Sequence, residues 1–249
     1  MTRTFLLALV LVAARARADC YDWKLSAWPP AGTTLPTNGR IVLIGYGLAQ
    51  PQVAKIAERK PRLLAKSTDP LTYTPPIRLE VVELHVGELK LTQAVLKPEK
   101  PLFPGTKYTL AFEQTADDPD FDKGERPLWF AGDGPDLAPP TWDAPPTAGP
   151  GHYKDMGCGP IEEARVSLAV KDQGLHLLRA RVQGATGGVR EYLLKPGEGE
   201  VMVGHSMCSG AFVLGEGEWS LELVAVDLAG NATPAPGGPL RFKGLNAKK

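Results

Sequence analysis

The stretch that decides the fold is 219–231, which reads Trp-Ser-Leu-Glu-Leu-Val-Ala-Val-Asp-Leu-Ala-Gly-Asn. Its apolar side chains alternate with polar ones at the start, and a period of two is typical of a β-strand with one buried face. The closing residues predict a tight turn, because Gly230 and Asn231 tolerate positive φ and the Asp227 carboxylate can cap the turn. We therefore interpret all three as structural residues. Asp227 is not predicted to be a catalytic acid, since no second carboxylate lies at a suitable spacing.

Short alternating segments recur along the rest of the chain. Residues 77–86, a two-residue turn and the segment after it predict a β-hairpin. Residues 52–59 have helical spacing but lie between Pro51 and Pro61, so a short helix and an irregular edge strand both remain open. Nearer the C-terminus, about seven short strands at roughly ten-residue spacing, one of them at 209–214, predict a β-sandwich.

A Gly-Asp-Gly-Pro-Asp run at 132–136 marks the predicted domain boundary. Turn-forming residues of this kind are typical of segments that join two folded units. The chain then divides into a signal peptide (1–18) and two domains, 19–131 with a proline-rich lead-in and 137–249. The totals of 27 Gly and 24 Pro favour many strands joined by turns over long helices.

The first eighteen residues are predicted to be a cleaved signal peptide. Arg3 gives a positive start, 5–14 form an apolar core, and Ala-Arg-Ala at 16–18 has the small-x-small form of a cleavage site. Cleavage predicts export to the periplasm, the cell surface or the medium. It removes three of 28 basic residues, leaving 25 against 28 acidic ones, a net charge of −3. A protein with that charge has no basic surface for nucleic acid.

Export makes the three cysteines interpretable. An oxidising compartment favours a disulfide between Cys158 and Cys208. That bond closes a loop of roughly 50 residues, worth about 4 kcal/mol in the chain-entropy model. Cys20 is left over, and lipidation of this residue would anchor the protein to a membrane. Asp19 is a poor match to a lipoprotein signal, so an unanchored thiol is the other interpretation.

Three short motifs resemble a known family. Ala-Val-Asp-Leu-Ala-Gly-Asn at 225–231, followed by a proline-rich exit, resembles the end of a bacterial Ig-like domain from exported and cell-surface proteins. Asn-Gly-Arg-Ile at 38–41 and Leu-Phe-Pro-Gly-Thr-Lys-Tyr-Thr-Leu at 102–110 resemble a related type. The resemblance covers most of 36–243. It implies an all-β fold of two tandem immunoglobulin-like β-sandwich domains, and its structural motifs say little about function.

One group of residues suggests an enzyme. His152, Cys158, His205 and Cys208 supply the nitrogen and sulfur ligands that zinc takes, although their spacings match no common zinc module. Ser206 lies in Gly-His-Ser-Met-Cys, which resembles a nucleophile elbow, but a strand and not a helix is expected to follow it. This cluster defines the alternative hypothesis, a secreted hydrolase or metal-dependent enzyme.

An acidic stretch suggests a calcium site. Asp118, Asp120 and Asp122 alternate like the carboxylates of a calcium loop, but Lys123 stands where the helix–loop–helix site needs glycine. A solvated surface loop is the other interpretation. Asn231 begins an Asn-Ala-Thr glycosylation sequence, although the predicted turn already gives this asparagine a structural role.

The leading hypothesis is a non-enzymatic exported module, structural or binding, of the bacterial cell envelope or the extracellular space. It would present loops to a protein or glycan partner. No catalytic residue and no cofactor are predicted. Nucleic acid is not expected as a partner, and membrane attachment is expected only if Cys20 is lipidated.

Overall fold

The structure is a computed structural model. It describes residues 24–66, 74–113, 126–156, 159–172, 174–185 and 187–244. The predictions for the signal peptide, Cys20, the acidic stretch at 118–122 and Cys158 fall outside these residues. In the described part, no helix is long and apolar enough to cross a membrane.

The first half of the described chain is built from eight strands. They are β1 (Lys24–Trp28), β2 (Thr34–Leu35), β3 (Ile41–Tyr46), β4 (Arg62–Ala65), β5 (Ile77–Val86), β6 (Leu91–Pro98), β7 (Lys107–Ala111) and β8 (Leu128–Ala131). A 3-10 turn (Gly47–Ala49), the short helix α1 (Gln50–Ala54) and a second 3-10 turn (Ile56–Arg59) lie between β3 and β4. Of the two interpretations left open for 52–59, the short helix is the one found. Pro51 lies in its first turn, where a missing N–H costs nothing.

The order of these strands is that of an immunoglobulin sandwich. The sequence of neighbours is β1-β3-β6-β5-β4-β7-β8-β2. Labelled A to G along the chain, β1-β3-β6-β5 is the A-B-E-D sheet and β4-β7-β8 is the C-F-G sheet. The two sheets join because β5 pairs with β4 over its first two residues. The short strand β2 adds to the free side of β8 in parallel.

The second half contributes ten strands. They are β9 (Thr141–Trp142), β10 (Thr147–Met156), β11 (Gly159–Ser167), β12 (Val170–Lys171), β13 (His176–Gly184), β14 (Arg190–Leu194), β15 (Glu200–His205), β16 (Gly217–Asp227), β17 (Ala232–Pro234) and β18 (Leu240–Gly244). One sheet has the order β10-β11-β15. Another has the order β14-β13-β16, with β17 and β18 both on the far side of β16. This is the arrangement in which an extra strand joins the C-F-G sheet, as in variable-type domains.

The strand predicted from 219–231 is β16, at the centre of its sheet between β13 and the pair β17 and β18. Leu221, Leu223 and Ala225 are buried, whereas Glu222 between them is exposed. Val226 is also buried. The strand therefore has one buried face along most of its length and is covered on both faces at its end.

Three local predictions differ from the structure. Residues 209–214 do not form a strand, because Gly210 makes only an isolated bridge to Leu89 on one side and His205 on the other. The turn of the first hairpin is longer than the two residues predicted, since β6 begins at Leu91 and Lys90 takes a left-handed φ of 49°. No strand was predicted for 147–156, which form the edge strand β10 paired with β11.

The buried side chains form two hydrophobic clusters, one in each half. The clusters share a boundary, because Leu177, Leu193 and Leu228 of the second half belong to the first cluster. Strand β6 is buried continuously over residues 91–96, without the alternation of a half-exposed strand. The second half therefore covers the outer face of the A-B-E-D sheet.

Candidate functional site

A group of charged residues lies where the two halves meet. We call it the junction cluster, and it consists of Glu83, His85, Arg179 and Glu191, with Arg40 and Arg181 at its border.

The first two members depend on a β-bulge in β5. The pairing of β5 with β6 shifts by one residue between Val81 and Glu83. Ile77 and Leu79, before the bulge, point into the first core. A regular strand would send Glu83 and His85 to that same face, since they stand at the same odd positions. The extra residue reverses the alternation and turns both side chains toward the second half.

Glu83 lies at the centre of the junction cluster. One carboxylate oxygen lies 2.6 Å from Nη2 of Arg179, and the other lies 3.0 Å from Nε2 of His85. Nη1 of Arg40 is 4.0 Å away. The hydrogen bond from His85 is the largest cause that lowers the Glu83 pKa to about 2, and Arg179 adds to it against the opposing effect of burial. Glu83 is therefore a carboxylate under all ordinary conditions.

His85 is 7% exposed and lies between two carboxylates. Its Nδ1 is 3.9 Å from an oxygen of Glu191. Its ring meets the ring of Tyr192 edge-on, with centroids 6.3 Å apart. Burial is the main cause that raises the pKa of Tyr192, with a smaller effect from Tyr46. The tyrosine is therefore neutral, and its ring packs against the histidine ring.

Three ligand atoms of this cluster have the spacing of a metal site. One atom each from Glu83, His85 and Glu191 lie within 4.8 Å of one another. The same carboxylates face guanidinium groups, however, because Arg179 contacts both and Nε of Arg181 lies 3.5 Å from Glu191. These cations balance the charge of the carboxylates and repel a further positive charge. The arrangement is an ion-pair network that bridges two parts of the chain.

Neutral hydrogen bonds reinforce the same junction. The buried side-chain amide of Gln93 donates to the Leu193 carbonyl at 2.9 Å and accepts from the Leu193 N–H at 3.2 Å. Leu89 and Gly210 exchange backbone hydrogen bonds of 3.2 and 2.9 Å. Buried amides must find partners, and here each half supplies the partner for the other.

A carboxylate closes one end of the junction. Glu88 pairs with the Arg190 guanidinium and accepts a 2.6 Å hydrogen bond from the backbone N–H of Val213. Arg190 also lies over the ring of Trp219, 4.7 Å from its centroid. Residues near 213, predicted as a strand, thus contact the first half instead of extending a sheet.

The two histidines of the possible zinc set lie on opposite faces of one sheet. His152 stands opposite Glu163, and His205 stands opposite Glu162, with β11 between the two histidine-bearing strands. Neighbouring residues of a strand point to opposite faces, so the histidine side chains diverge. His205 is buried, with Nε2 3.4 Å from Glu162, whereas His152 is half exposed. They are not brought together around one ion.

Ser206 lies in a tight turn after β15. Its hydroxyl donates to the carbonyl of Ser209 at 2.9 Å, and Nδ1 of His205 lies 2.8 Å from the Ser206 carbonyl. No helix follows among residues 206–217, all of which are described. The strand–turn–helix geometry of a nucleophile elbow is therefore absent from this segment.

The predicted Cys158–Cys208 disulfide stays a prediction. Cys208 is described and lies in the turn after β15, but Cys158 lies outside the described residues. The chain near its position approaches that turn. A Cβ placed on Gly159 would lie 3.1 Å from the Met207 carbonyl oxygen.

The turn after β16 uses all three residues assigned to it. The Asp227 carboxylate accepts 2.8 Å hydrogen bonds from both the backbone N–H and the side-chain amide of Asn231. Gly230 has a φ of 87° and donates its N–H to the Asp227 carbonyl. Burial raises the pKa of Asp227, and the hydrogen bonds from Asn231 oppose that rise. The Asn231 amide also donates to the Asp136 carbonyl at 3.2 Å, so it is engaged within the protein.

The junction cluster did not follow from the sequence. Glu83 and His85 stood on the predicted inward face of 77–86, and Arg179 and Glu191 lie about a hundred residues away. The sequence did contain one signal, the presence of Glu83 and His85 at positions predicted to face the core. A charged residue at a core-facing position indicates a bulge or an interface.

The strands and the junction define an all-β protein with immunoglobulin-type sheets. No protein-family model matches the chain. No curated protein matches it. Among solved structures it is similar to the tandem Ig repeats of Dlar, with 9% identity, a TM-score of 0.25, and coverage of 89% of this chain and 99% of that one. A likeness at that level carries no argument, so the class rests on strand order and buried faces.

Proposed function

We propose that the chain is an exported, non-enzymatic module of two tandem immunoglobulin-like domains, held at a fixed angle, that presents its loops to a protein or glycan. The domains correspond to the predicted 19–131 and 137–249, behind a cleaved signal peptide at 1–18. The proposal places the protein in the bacterial periplasm, on the cell surface or in the medium.

The observation that carries the proposal is the junction. Glu83 and Arg179 meet at 2.6 Å, and Gln93 makes two hydrogen bonds to the backbone of Leu193. These contacts join a charge-assisted hydrogen bond to a paired amide, and both link residues of the first half to residues of the second. A fixed angle between sandwiches sets the spacing of the loops at their ends, which is what a binding or structural module requires.

The enzymatic alternative has less support. It needs the His152, His205 and Ser206 group to converge, whereas the histidines face opposite ways and the serine hydroxyl donates to a carbonyl. The polar residues that do converge form ion pairs with one another.

Binding is tested with the mature chain, residues 19–249, immobilised and exposed to envelope and medium extracts of the source cells. We expect one protein or glycan to be retained, and we expect retention to fall when Gln93→Leu loosens the junction. Gln183→Ala, an exposed glutamine on β13, is the matched control. Hydrolysis of ester substrates that disappears in Ser206→Ala would support the enzyme instead.

Export is tested separately by expressing the full chain and measuring the mass of the product. We expect an N-terminus at Asp19, with the protein in the periplasmic or medium fraction. A chain that keeps Met1 and stays in the cytoplasm would contradict this part of the proposal and leave the junction argument intact.

A further inference from the structure

One edge of β5 is open. The strand pairs with β6 over Leu79–Val86 on one side. On the other side it pairs with β4 only at Ile77 and Arg78, and the Leu79 N–H then donates to the Pro61 carbonyl. From residue 80 to 86 that side has no strand partner among the described residues. Such an edge is a template for a further strand.

The backbone groups on this edge can be assigned. Gly87 donates its N–H to the carbonyl of Leu91 at 2.8 Å, so Gly87 points toward β6. Residues of an antiparallel strand alternate in direction, and Leu84 and Val86 therefore direct their N–H and C=O groups to the open side. These four backbone groups have no strand partner in the part of the chain that the structure describes, and an added strand can pair with them.

The side chains beside these groups are apolar and exposed. Val82 is 37% exposed, Leu84 47% and Val86 66%. Positions two apart share a face of a strand, so the three form one apolar stripe. Exposed edge strands ordinarily carry charges that discourage pairing, and a stripe of this kind marks an interaction surface.

There is room beside the edge. An open groove of about 600 Å³ lies along 83–86, and Arg179 and Glu191 of the second half also line it. Adjacent strands lie about 4.8 Å apart, so one extended segment fits at hydrogen-bonding distance from β5.

We propose that the occupant is the β5 strand of a second copy of this chain, paired antiparallel about a two-fold axis at Leu84. In that register Leu84 faces Leu84 of the second copy, and Val82 faces Val86. The apolar stripes then cover each other. On the opposite face position 83 stands across from position 85 of the second copy, so the register places no two like charges directly opposite each other.

The match of charge and apolar side chains with the same strand reversed favours a second copy over an unrelated peptide. Such a contact is isologous, which means that both copies use the same surface and the assembly is complete as a dimer. The bulge after Val81 ends the regular edge, which keeps the pairing short. This inference is independent of the proposed binding function.

The oligomeric state of the mature chain tests the proposal. Sedimentation velocity is measured over roughly 1 to 500 µM, a range that covers the weak affinities of small interfaces. We expect the weight-average sedimentation coefficient to rise from the monomer to the dimer value. Leu84→Lys should move the midpoint at least tenfold higher. Met202→Lys, at a similarly exposed apolar residue on β15, should leave the midpoint unchanged.

The register is tested by crosslinking. Residues that exchange both hydrogen bonds have Cα atoms about 5.5 Å apart, within disulfide range. In a Cys20→Ser background, Leu84→Cys should give a covalent dimer under mild oxidation, and Met202→Cys should not. Urea midpoints equal to the parent's show that the variants fold.

A chain that stays monomeric at every concentration would overturn the proposal and leave the edge to an extended segment of another protein. A dimer that survives Leu84→Lys with the same midpoint would also overturn it, since the contact would then lie elsewhere.

Discussion

Replacing Glu83 by glutamine tests the central ion pair of the junction. The change keeps the size of the side chain and removes its charge. The oxygen 2.6 Å from Arg179 loses its charge, and an amide N–H is placed against Nε2 of His85, 3.0 Å away. Charge-assisted hydrogen bonds are about twice as strong as neutral ones, so the junction should weaken.

The expected loss follows from the pKa of Glu83. Its fall from 4.5 to about 2 on folding corresponds to about 3.4 kcal/mol at 1.36 kcal/mol for each pH unit. The side chain is 23% exposed, and solvent screening reduces this value. We expect Glu83→Gln to lower the free energy of unfolding by about 2 kcal/mol at pH 7.

The pH dependence has a fixed sign. The pKa of Glu83 is lower in the folded state, so its stabilisation is present above pH 4.5 and is lost as the pH falls toward 2. The parent and the variant should therefore differ by about 2 kcal/mol at pH 7 and converge below pH 4.5. Urea unfolding at pH 7, 5, 4 and 3, followed by tryptophan fluorescence and circular dichroism, measures this difference.

Glu113→Gln is the matched control. Glu113 pairs with Lys60 at 2.9 Å, but the two side chains are 53% and 73% exposed. Exposed pairs contribute little, so we expect a loss below about 0.5 kcal/mol that changes little with pH. Equal losses for the two variants, or a Glu83→Gln deficit that persists undiminished at pH 3, would refute the reasoning.

Three further predictions concern the turn, the junction and the cysteines. Gly230→Ala should cost about 1–3 kcal/mol in urea unfolding, because φ is 87° and the new Cβ would overlap the Arg40 side chain; Gly215→Ala, which meets open space, should stay within about 0.5 kcal/mol. Gln93→Leu should lower the free energy of unfolding by about 2–4 kcal/mol at pH 7, since it leaves two buried backbone groups of β14 unpaired. A smaller loss would mean that water replaces the amide as their partner. A non-reducing peptide map should join the Cys158 and Cys208 peptides, and reduction should lower stability by about 4 kcal/mol; two alkylated thiols in the untreated protein would contradict the disulfide.

Regular strands were predictable because one face of each is buried against its own half. In β16 the alternation of Leu221, Glu222 and Leu223 follows directly from that one-sided burial. The turn after it was predictable for a local reason, since glycine, asparagine and aspartate act within a few residues of one another.

The junction was not predictable, because its causes are distant in the chain. The bulge after Val81 is defined by the pairing of β5 with β6, and its only local sign is the polar residues at positions 83 and 85, which a regular strand would turn toward the core. Glu83 meets Arg179 across 96 positions. The apolar run around Phe212 has the composition of a strand, but Gly210 makes only isolated bridges, to Leu89 and to His205, and no strand forms.

Contact between the two halves of the chain accounts for the burial of β6. Its residues 91–96 are buried throughout, and such a run is typical of a strand covered on both faces. In the first half alone, one of those faces would be open to water. The continuous burial of β6 therefore results from its contact with the second half.

The separation of 100 residues between Gln93 and Leu193 has a consequence for biosynthesis. Ribosomes add about 5–20 residues per second, so the partner of Gln93 follows it by roughly 5–20 s. During that interval the first sandwich can close its own core, but the outer face of β6 stays uncovered. A chaperone that binds apolar sheet faces would therefore find its target on β6 until residue 193 has been added.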